Sequence, residues 1–335
     1  MKTKAIVVLV MVLLLAGAMA FAAGQVESAK PIIIRYAGTA AASMDNPEYL
    51  AMLRFKEVVE EKSEGKIVVE VYPANQLGAT KEFTEGVAVG SIEMGVAGYD
   101  LIGLFDHMAY VFTLPYLHDS LEHYIKVIEG PIGEEVHNHL IETAGIRVIG
   151  VLNRGPRHMM NTKRPVNVPT DLKGLKIRSP ENPLNAGTVN AMGASAVPIS
   201  WGEVYTAISQ GVVDGVENAI DELYSQKLHE VNKYLSLTQH IYLGIPIMIN
   251  EDFYQSLSAE NRKILEEAAQ NSVQYRRELL KDSENIALEA MKKAGVQVNE
   301  SPDIAAFAAT ANVVWEQFVD GKNITWDLIE RIKNY

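Results

Sequence analysis

Short apolar segments alternate with amphipathic segments along the chain, and this alternation constrains the fold more than any other feature of the sequence. Ile32–Ala37 and Ile67–Tyr72 are apolar runs of strand length, and residues 48–61 between them carry apolar side chains at helical spacing. A strand, a helix and a second strand in this order make a β-α-β unit with parallel strands. We therefore predict an α/β protein. Ligands bind such open sheets beyond the carboxyl ends of the strands.

The second half of the chain repeats the alternation. The predicted strands there are Ile146–Leu152, residues 175–178, Ile199–Trp201, residues 212–218 and Tyr242–Ile249. A helix is predicted over residues 203–211, and a long amphipathic helix over residues 259–294. A chain of 335 residues is long enough for two domains of ordinary size. Two α/β lobes that face each other across a cleft form a binding architecture that closes about a hinge.

The N-terminus has the features of a secretory signal. A basic start is followed by the apolar run Ala5–Ala23, and Ala20–Ala22 supplies the small residues that a signal peptidase needs. We predict a cleaved signal peptide at residues 1–22 and a periplasmic mature protein. The run is also just long enough to span a bilayer, so an uncleaved anchor is the alternative. Leu15–Ala18 resembles a lipoprotein box without its cysteine, which favours a free protein over a lipid-anchored one.

Composition excludes several classes of function. The sequence has no cysteine, which excludes disulfides, thiolate nucleophiles and cysteine metal sites. Its formal charge of −12 argues against nucleic acid and anionic membranes as partners, since both attract basic surfaces. The histidine pairs 118/123 and 137/139 do not have the spacing that aligns two side chains on one face of a helix. We therefore expect no bound metal and no cofactor.

Arg178 is the first candidate for a binding residue. Residues 175–178 alternate apolar and polar side chains, as a strand with one buried face does. Pro180 lacks an N–H and ends this strand, so Arg178 lies at its carboxyl end. The guanidinium group matches a carboxylate with two parallel hydrogen bonds and stays charged, which suits an anion site. The alternative is an ordinary ion pair on the surface.

Five polar residues follow the carboxyl ends of other predicted strands. Asp45, Asn46 and Glu48 lie in the loop and helix start after the first strand, and Tyr99 and Asp100 follow the third. Because parallel strands end at the same edge of a sheet, these side chains are candidates for the cleft. Asp45 or Asn46 is equally suited to capping the helix that begins there.

Motifs spread over nearly the whole mature chain carry a family resemblance. They are Tyr72–Gly78, Gly90-Ser91, Leu114–Tyr116, Arg157–Val166, Asp171–Arg178, Gly202–Tyr205, Gly211–Asn218 and His229–Thr238. In order and in sequence they resemble the DctP-type solute-binding proteins of TRAP transporters. The resemblance implies a two-lobed periplasmic-binding-protein-like (Venus flytrap) fold with a long helix linking the lobes. It places lobe I at residues 31–155 plus about 244–283, and lobe II at residues 156–243 plus about 284–335.

The resemblance also implies a function. Such proteins capture an organic acid outside the cytoplasmic membrane and deliver it to the membrane subunits of a TRAP permease, and we expect a monomer. By this resemblance Arg178 pairs with the ligand carboxylate, and Arg157 and Asn218 match two further binding positions. Trp201 occupies the position of an aromatic residue that lines the pocket in relatives.

The sequence favours a sugar acid as the ligand. Ala79-Thr80 and Gly98–Leu101 lack the charged groups that sialate-binding members carry in these stretches, so we disfavour sialate. Trp201 offers a face on which a sugar ring can stack, and acidic side chains such as Asp100 can accept hydroxyl protons. This combination suits a uronate or an aldonate. The alternative is a C4-dicarboxylate or a small 2-oxo acid, with Arg157 as the second cation.

Two other classes of function remain as alternatives. An exported glycoside hydrolase would use Glu217 together with Asp214 or Asp221, provided that the two carboxyl groups flank the scissile bond. A sensor that reports a ligand to a membrane receptor would use the same pocket as a transport protein. We expect a binding protein without catalytic residues.

Overall fold

Strands and helices alternate through residues 30–335, which are the residues that the computed structural model describes. The predicted signal peptide lies outside them. The strands are β1 (Ile32–Ala37), β2 (Ile67–Tyr72), β3 (Met94–Val96), β4 (Ile146–Asn161), β5 (Lys176–Ser179), β6 (Ser195–Pro198), β7 (Gly215–Ala219), β8 (Tyr234–Ser236), β9 (Tyr242–Asn250) and β10 (Gln297–Asn299). The predicted α/β class is confirmed.

The helices follow the predicted alternation. They are α1 (Pro47–Lys62), α2 (Thr80–Ala88), α3 (Tyr99–Ile102), α4 (Leu121–Glu129), α5 (Pro131–Ala144), α6 (Pro183–Ala191), α7 (Val204–Ser209), α8 (Ile220–Ser225), α9 (Glu251–Ser256), α10 (Ala259–Lys293), α11 (Ile304–Ala308), α12 (Ala311–Phe318) and α13 (Trp326–Lys333). Within the described part of the chain, each helix is too short or too polar to cross a lipid bilayer.

Strand β4 belongs to both lobes of the fold. Its first part pairs antiparallel with β9, and the strand order β2-β1-β3-β9-β4 completes the sheet of the first lobe. Its last part pairs antiparallel with β7 and β8, and β7, β5 and β6 continue the second sheet as parallel neighbours. One 16-residue strand thus carries the chain from lobe to lobe. The predicted two-lobed fold is confirmed.

The crossing point in β4 is irregular. The register between β4 and β9 shifts between Asn153 and Pro156, which is a bulge or a similar irregularity. An extra residue in one strand bends the strand and re-aims its side chains. Gly155 lies in this segment, and a Cβ atom there would be 1.4 Å from Oε1 of Glu284 on α10. A side chain at position 155 would therefore displace the carboxylate of Glu284.

One predicted strand is wrong. Trp201 lies in a short 3-10 helix, Trp201–Glu203, rather than in a strand over Ile199–Trp201. The strand is earlier, at β6, where Ser195 to Pro198 pair with Lys176 to Ser179 of β5. The N–H of Ile199 still donates to the carbonyl of Ser179 at 3.1 Å, an ordinary hydrogen-bond distance, but the ladder ends there. The indole reaches the sheet edge through the turn after β6.

Helix α10 is the long helix that the sequence predicts. Its N-cap is Ser258, whose side chain accepts the N–H of Asn261, and it continues for 35 residues. It packs on α1 through a hydrogen bond of 2.6 Å from Ser272 Oγ to the carbonyl of Ala51. It also reaches α8, where Arg276 forms a buried ion pair with Asp221. The helix therefore contacts elements of both lobes.

The last helix, α13, packs against α4 and α5 of the first lobe. The Nε2 atom of His123 on α4 is 2.9 Å from the carbonyl of Ile332 on α13. Arg331 on α13 also pairs with Glu135 on α5 at 2.6 Å. These contacts place α13 against helices of the first lobe, whereas the sequence prediction groups residues 284–335 with the second.

Glu284 is a partly buried carboxylate on α10 with an altered pKa. Burial raises its pKa, and the neighbouring Asp221 raises it further, while Arg276 opposes both, so that the pKa is about 7. Its Oε1 atom has no hydrogen-bond partner among the described residues. Because the folded-state pKa lies above the unfolded value, Glu284 costs no stability below about pH 4.5 and destabilises the fold as pH rises through 7.

We expect Glu284→Gln to stabilise the protein mainly at high pH. At pH 8 the variant removes a partly buried charge and should raise the free energy of unfolding by about 1–3 kcal/mol. At pH 5 the gain should be under about 1 kcal/mol, because Glu284 is then neutral in the folded protein and the penalty has only begun to develop. Urea titrations at both pH values measure this difference. Glu316→Gln on α12, an exposed position, is the control and should change nothing. An equal effect at pH 5 and pH 8 would contradict the assignment.

Candidate ligand-binding site

A cavity lies at the carboxyl ends of β1, β3 and β5, beside the crossing of β4. It contains about 440 Å³ of space free of protein atoms, a volume that includes its opening to solvent. Its polar lining residues are Thr39, Thr80, Asp100, Arg154, Arg157, Arg178 and Asn218. The other lining side chains, Trp201 among them, are mostly apolar.

The structure brings five of the nine predicted site residues to this cavity. Arg157, Arg178, Asn218, Trp201 and Asp100 all line it. They come from β4, β5, β7, the 3-10 helix after β6 and α3. Separate elements thus converge on one small volume, as sites in α/β folds commonly do.

Asp45, Asn46 and Glu48 do not line the cavity. Asp45 is exposed. The side chain of Asn46 caps α1 by accepting the N–H groups of Glu48 and Tyr49, so capping, the predicted alternative, is its role in the structure. Glu48 is buried and points to Arg154 instead of to the cavity.

Tyr99 is also outside the cavity. It is fully buried in the first lobe, and its hydroxyl lies 2.5 Å from Nε2 of His137. Its ring packs edge-on against Phe112. Because residues 99 and 100 begin α3, their side chains diverge, and only Asp100 faces the cavity.

Two of the three nitrogen atoms of the Arg178 guanidinium group are free to bind a ligand. Its Nε donates to the carbonyl of Ile199 at 2.7 Å, while Nη1 and Nη2 have no hydrogen bond to any described residue. The guanidinium carbon lies 5.2 Å from the centre of the Trp201 ring, a distance at which a cation–π interaction stabilises the group. Burial lowers the pKa of Arg178 to about 10, against the opposing effect of Glu217, so the group is charged at neutral pH.

Arg157, in contrast, is already neutralised by the protein. Its Nη2 donates to Oε1 of Glu217 at 2.8 Å, its Nε donates to Oε2, and its Nη1 donates to Asn218 at 3.0 Å. Burial raises the pKa of Glu217, but Arg157 and a hydrogen bond with His240 outweigh burial and hold it at about 2. Glu217 is therefore ionised and paired.

Arg154 is a cavity residue that the sequence prediction missed. Its Nε donates to Oε2 of Glu48 at 3.0 Å, and its Nη2 is 3.6 Å from Oε1 of Glu222. In a regular strand, residues three apart point to opposite faces, so Arg154 and Arg157 were not expected together. The irregularity between Asn153 and Pro156 turns both toward the cavity.

Two further sets of residues escaped prediction. Thr39 follows β1, and Thr80 begins α2, so both lie at positions typical of such sites but carry no charge to mark them. Leu243 and Ile245 of β9 line the cavity as alternate residues of one strand. A search for polar strand-end residues could have found the threonines. Among residues 30–335, no three acidic or histidine side chains are arranged to hold a metal ion.

Known proteins resemble the chain over most of its length. Residues 38–322 match a family described as bacterial extracellular solute-binding protein, family 7. The 2,3-diketo-L-gulonate-binding periplasmic protein of Escherichia coli is 30% identical, with 87% of this chain and 88% of that protein covered. The C4-dicarboxylate-binding periplasmic protein of Rhodobacter capsulatus is 32% identical, with 86% and 84% covered.

A solved structure shares the fold. The crystal structure of a TRAP periplasmic solute-binding protein from Sulfitobacter sp. NAS-14.1, with bound β-D-galacturonate, matches with a TM-score of 0.86 at 30% sequence identity. The match covers 90% of this chain and 100% of the other.

The pairing of Arg157 predicts a large effect of Glu217→Gln on stability. The substitution leaves a buried guanidinium without its counter-charge, which typically costs about 3–5 kcal/mol. We expect urea denaturation at pH 7 to show a loss of this size. The control is Glu289→Gln, because Glu289 and Lys292 form an exposed pair whose loss should cost under about 1 kcal/mol. Equal losses for the two variants would show that the buried pair contributes no more than a surface one.

Proposed function

Because the chain belongs to family 7 of the bacterial extracellular solute-binding proteins, we propose that it binds a sugar acid by its carboxylate and delivers it to a TRAP permease. The observation that carries this proposal is the free guanidinium fork of Arg178 in a buried cavity. A buried cation without a counter-charge is costly unless a ligand supplies one. A carboxylate fits the fork with two parallel hydrogen bonds.

The energy of this contact is sufficient to anchor a ligand. Hydrogen bonds to charged groups contribute roughly 1.5–3 kcal/mol each, and a micromolar dissociation constant corresponds to about 8 kcal/mol. Two bonds from Arg178 supply a large part of that amount. Asn218 and the threonines that line the cavity offer further polar contacts for the rest of the ligand.

The cavity favours a sugar acid over a dicarboxylate. Trp201 presents an aromatic face, and Asp100 presents an acceptor for hydroxyl groups. Arg157 was the expected second cation for a dicarboxylate, but Glu217 neutralises it. Relatives that bind 2,3-diketo-L-gulonate and β-D-galacturonate support this choice, while the relative named for C4-dicarboxylates keeps that class as the alternative.

We also propose that the protein is exported to the periplasm, as the signal sequence and the family resemblance predict. Residues 1–22 would be a cleaved signal peptide, and the mature protein would be a periplasmic monomer that passes its ligand to the permease. For the two lobes we propose residues 31–155 plus about 244–283 and residues 156–243 plus about 284–335, except that α13 groups with the first lobe. Mass spectrometry of the exported protein checks the cleavage point.

Catalysis is not part of the proposal. A glycosidase acid must hold a proton near neutral pH, but Glu217 has a pKa of about 2 and binds Arg157 and His240. Asp221 is committed to Arg276, and Asp214 accepts the N–H of Lys176 at 2.9 Å. Each suggested carboxylate is thus occupied by a structural contact.

We expect Arg178→Lys to weaken ligand binding by at least about 100-fold. The lysine keeps the charge but cannot form two parallel hydrogen bonds, and the loss of one or two charge-assisted bonds corresponds to this factor. Isothermal titration with D-galacturonate, D-glucuronate, malate and pyruvate, on protein unfolded and refolded to remove any bound ligand, measures it.

Arg164→Lys is the matched control, because Arg164 donates to the carbonyls of Asp171 and Lys173 on the surface. It should bind as the wild type does. An Arg178→Lys protein with unchanged affinity would refute the anchor, and a wild type that binds malate but neither uronate would refute the sugar-acid assignment.

A further inference from the structure

Asp100 is a carboxylate in the cavity that the protein does not neutralise. It is only 2% exposed, and it forms no ion pair with the described residues. Its one side-chain hydrogen bond comes from Nδ2 of Asn182, at the long distance of 3.4 Å. Glu48 and Glu217, by comparison, each bind an arginine directly. Asp100 therefore keeps acceptor capacity that faces the cavity.

Gly98 fixes the position of this carboxylate. A Cβ atom at residue 98 would lie 2.2 Å from Oδ1 of Asp100, far closer than real Cβ atoms approach other atoms. It would also lie 3.3 Å from Leu243 on the opposite side. The carboxylate of Asp100 thus occupies the space that a side chain at position 98 would fill. Any other residue at position 98 would displace it.

The charges that line the cavity leave one cation and one anion unpaired. Glu48 neutralises Arg154, and Glu217 neutralises Arg157. Arg178 and Asp100 remain: among the described residues, the side-chain hydrogen bond of Arg178 goes to the carbonyl of Ile199, and that of Asp100 comes from Asn182. A ligand with one carboxylate satisfies Arg178. A second carboxylate on the same ligand would find no free cation and would share the cavity with Asp100.

The physical consequences for the two kinds of ligand are opposite. Like charges held close together in a buried site repel each other by an amount that depends steeply on distance and on the exclusion of water. A hydroxyl group instead donates a hydrogen bond to a carboxylate, and such charge-assisted bonds are the stronger kind. Burial raises the pKa of Asp100 above its ordinary value, because it outweighs the lowering effect of Arg157. A second carboxylate beside Asp100 would raise this pKa further, which is the cost of placing two like charges in one site.

We propose that Asp100 is the specificity-determining residue of this cavity: it accepts a hydroxyl group of a monocarboxylate sugar acid and excludes dicarboxylates of the same length. Gly98 is its positioning residue. The inference rests on the proposed function, because it assumes that Arg178 holds the ligand's first carboxylate.

A pair of sugar acids that differ in one group tests the inference. Galactonate and galactarate have the same carbon chain, and galactarate carries a carboxylate where galactonate carries its terminal hydroxymethyl group; gluconate and glucarate form a second such pair. We expect the wild type to bind the aldonate at least about 100-fold more tightly than the aldarate in titration calorimetry. Asp100→Asn should reduce this ratio at least tenfold, by weakening aldonate binding and strengthening aldarate binding.

Two further variants make the result decisive. Gly98→Ala moves the carboxylate without removing it and should also reduce the ratio, so it serves if Asp100→Asn does not fold. Asp327→Asn, at an exposed position of α13, is the control and should leave the ratio unchanged. Thermal unfolding of each variant confirms that it is folded.

The outcomes separate this inference from the proposed function. If the wild type prefers the aldonate and neither Asp100→Asn nor Gly98→Ala changes the ratio, the role of Asp100 is refuted while sugar-acid binding stands. If the wild type binds neither aldonates nor uronates, the proposed function fails and the inference fails with it. An aldarate bound as tightly as the aldonate by the wild type also overturns the role of Asp100.

Discussion

The need to neutralise buried positive charge governs the design of this cavity. Arg154, Arg157 and Arg178 line a space of about 440 Å³, and three unpaired guanidinium groups there would repel one another strongly. Two of them are paired within the protein, by Glu48 and Glu217. The third is left for a ligand. Selection of an organic acid therefore follows from which arginine lacks a partner, more than from how many arginines are present.

Several buried ion pairs lie where elements of the two lobes meet. β4 passes through both lobes, and α10 contacts both, so the buried ion pairs at their junction link parts of the chain that are far apart in sequence. Arg154 is the clearest case, since it lies near carboxylates from α1 and from α8. Buried pairs of this kind add little net stability compared with apolar packing, but they penalise any arrangement that separates the partners. These ion pairs therefore favour a single arrangement of the elements that meet between the two lobes.

Much of the fold and part of the site could be predicted from the sequence. Periodicity and prolines locate the β-α-β alternation, α10 and the strand end that carries Arg178, because these depend on local chemistry. Arg154 could not be found in this way, since it faces the cavity only through an irregularity in β4 that requires the partner strand. Asn46 and Glu48 were predicted to contact the ligand, but Asn46 caps a helix and Glu48 binds Arg154. A position at a strand end does not distinguish these structural roles from ligand binding. The ion-pair and strand partners of these residues come from distant parts of the chain, which the local sequence does not reveal.

The contact between Gly155 and Glu284 also restricts how such a chain can evolve. The two positions are 129 residues apart (284 − 155), yet a methyl group at the first would overlap the carboxylate of the second at 1.4 Å. A side chain at position 155 therefore requires that Glu284 turns away from β4 or is replaced by a shorter residue. Substitutions at the two positions are sterically coupled although the positions are distant in sequence.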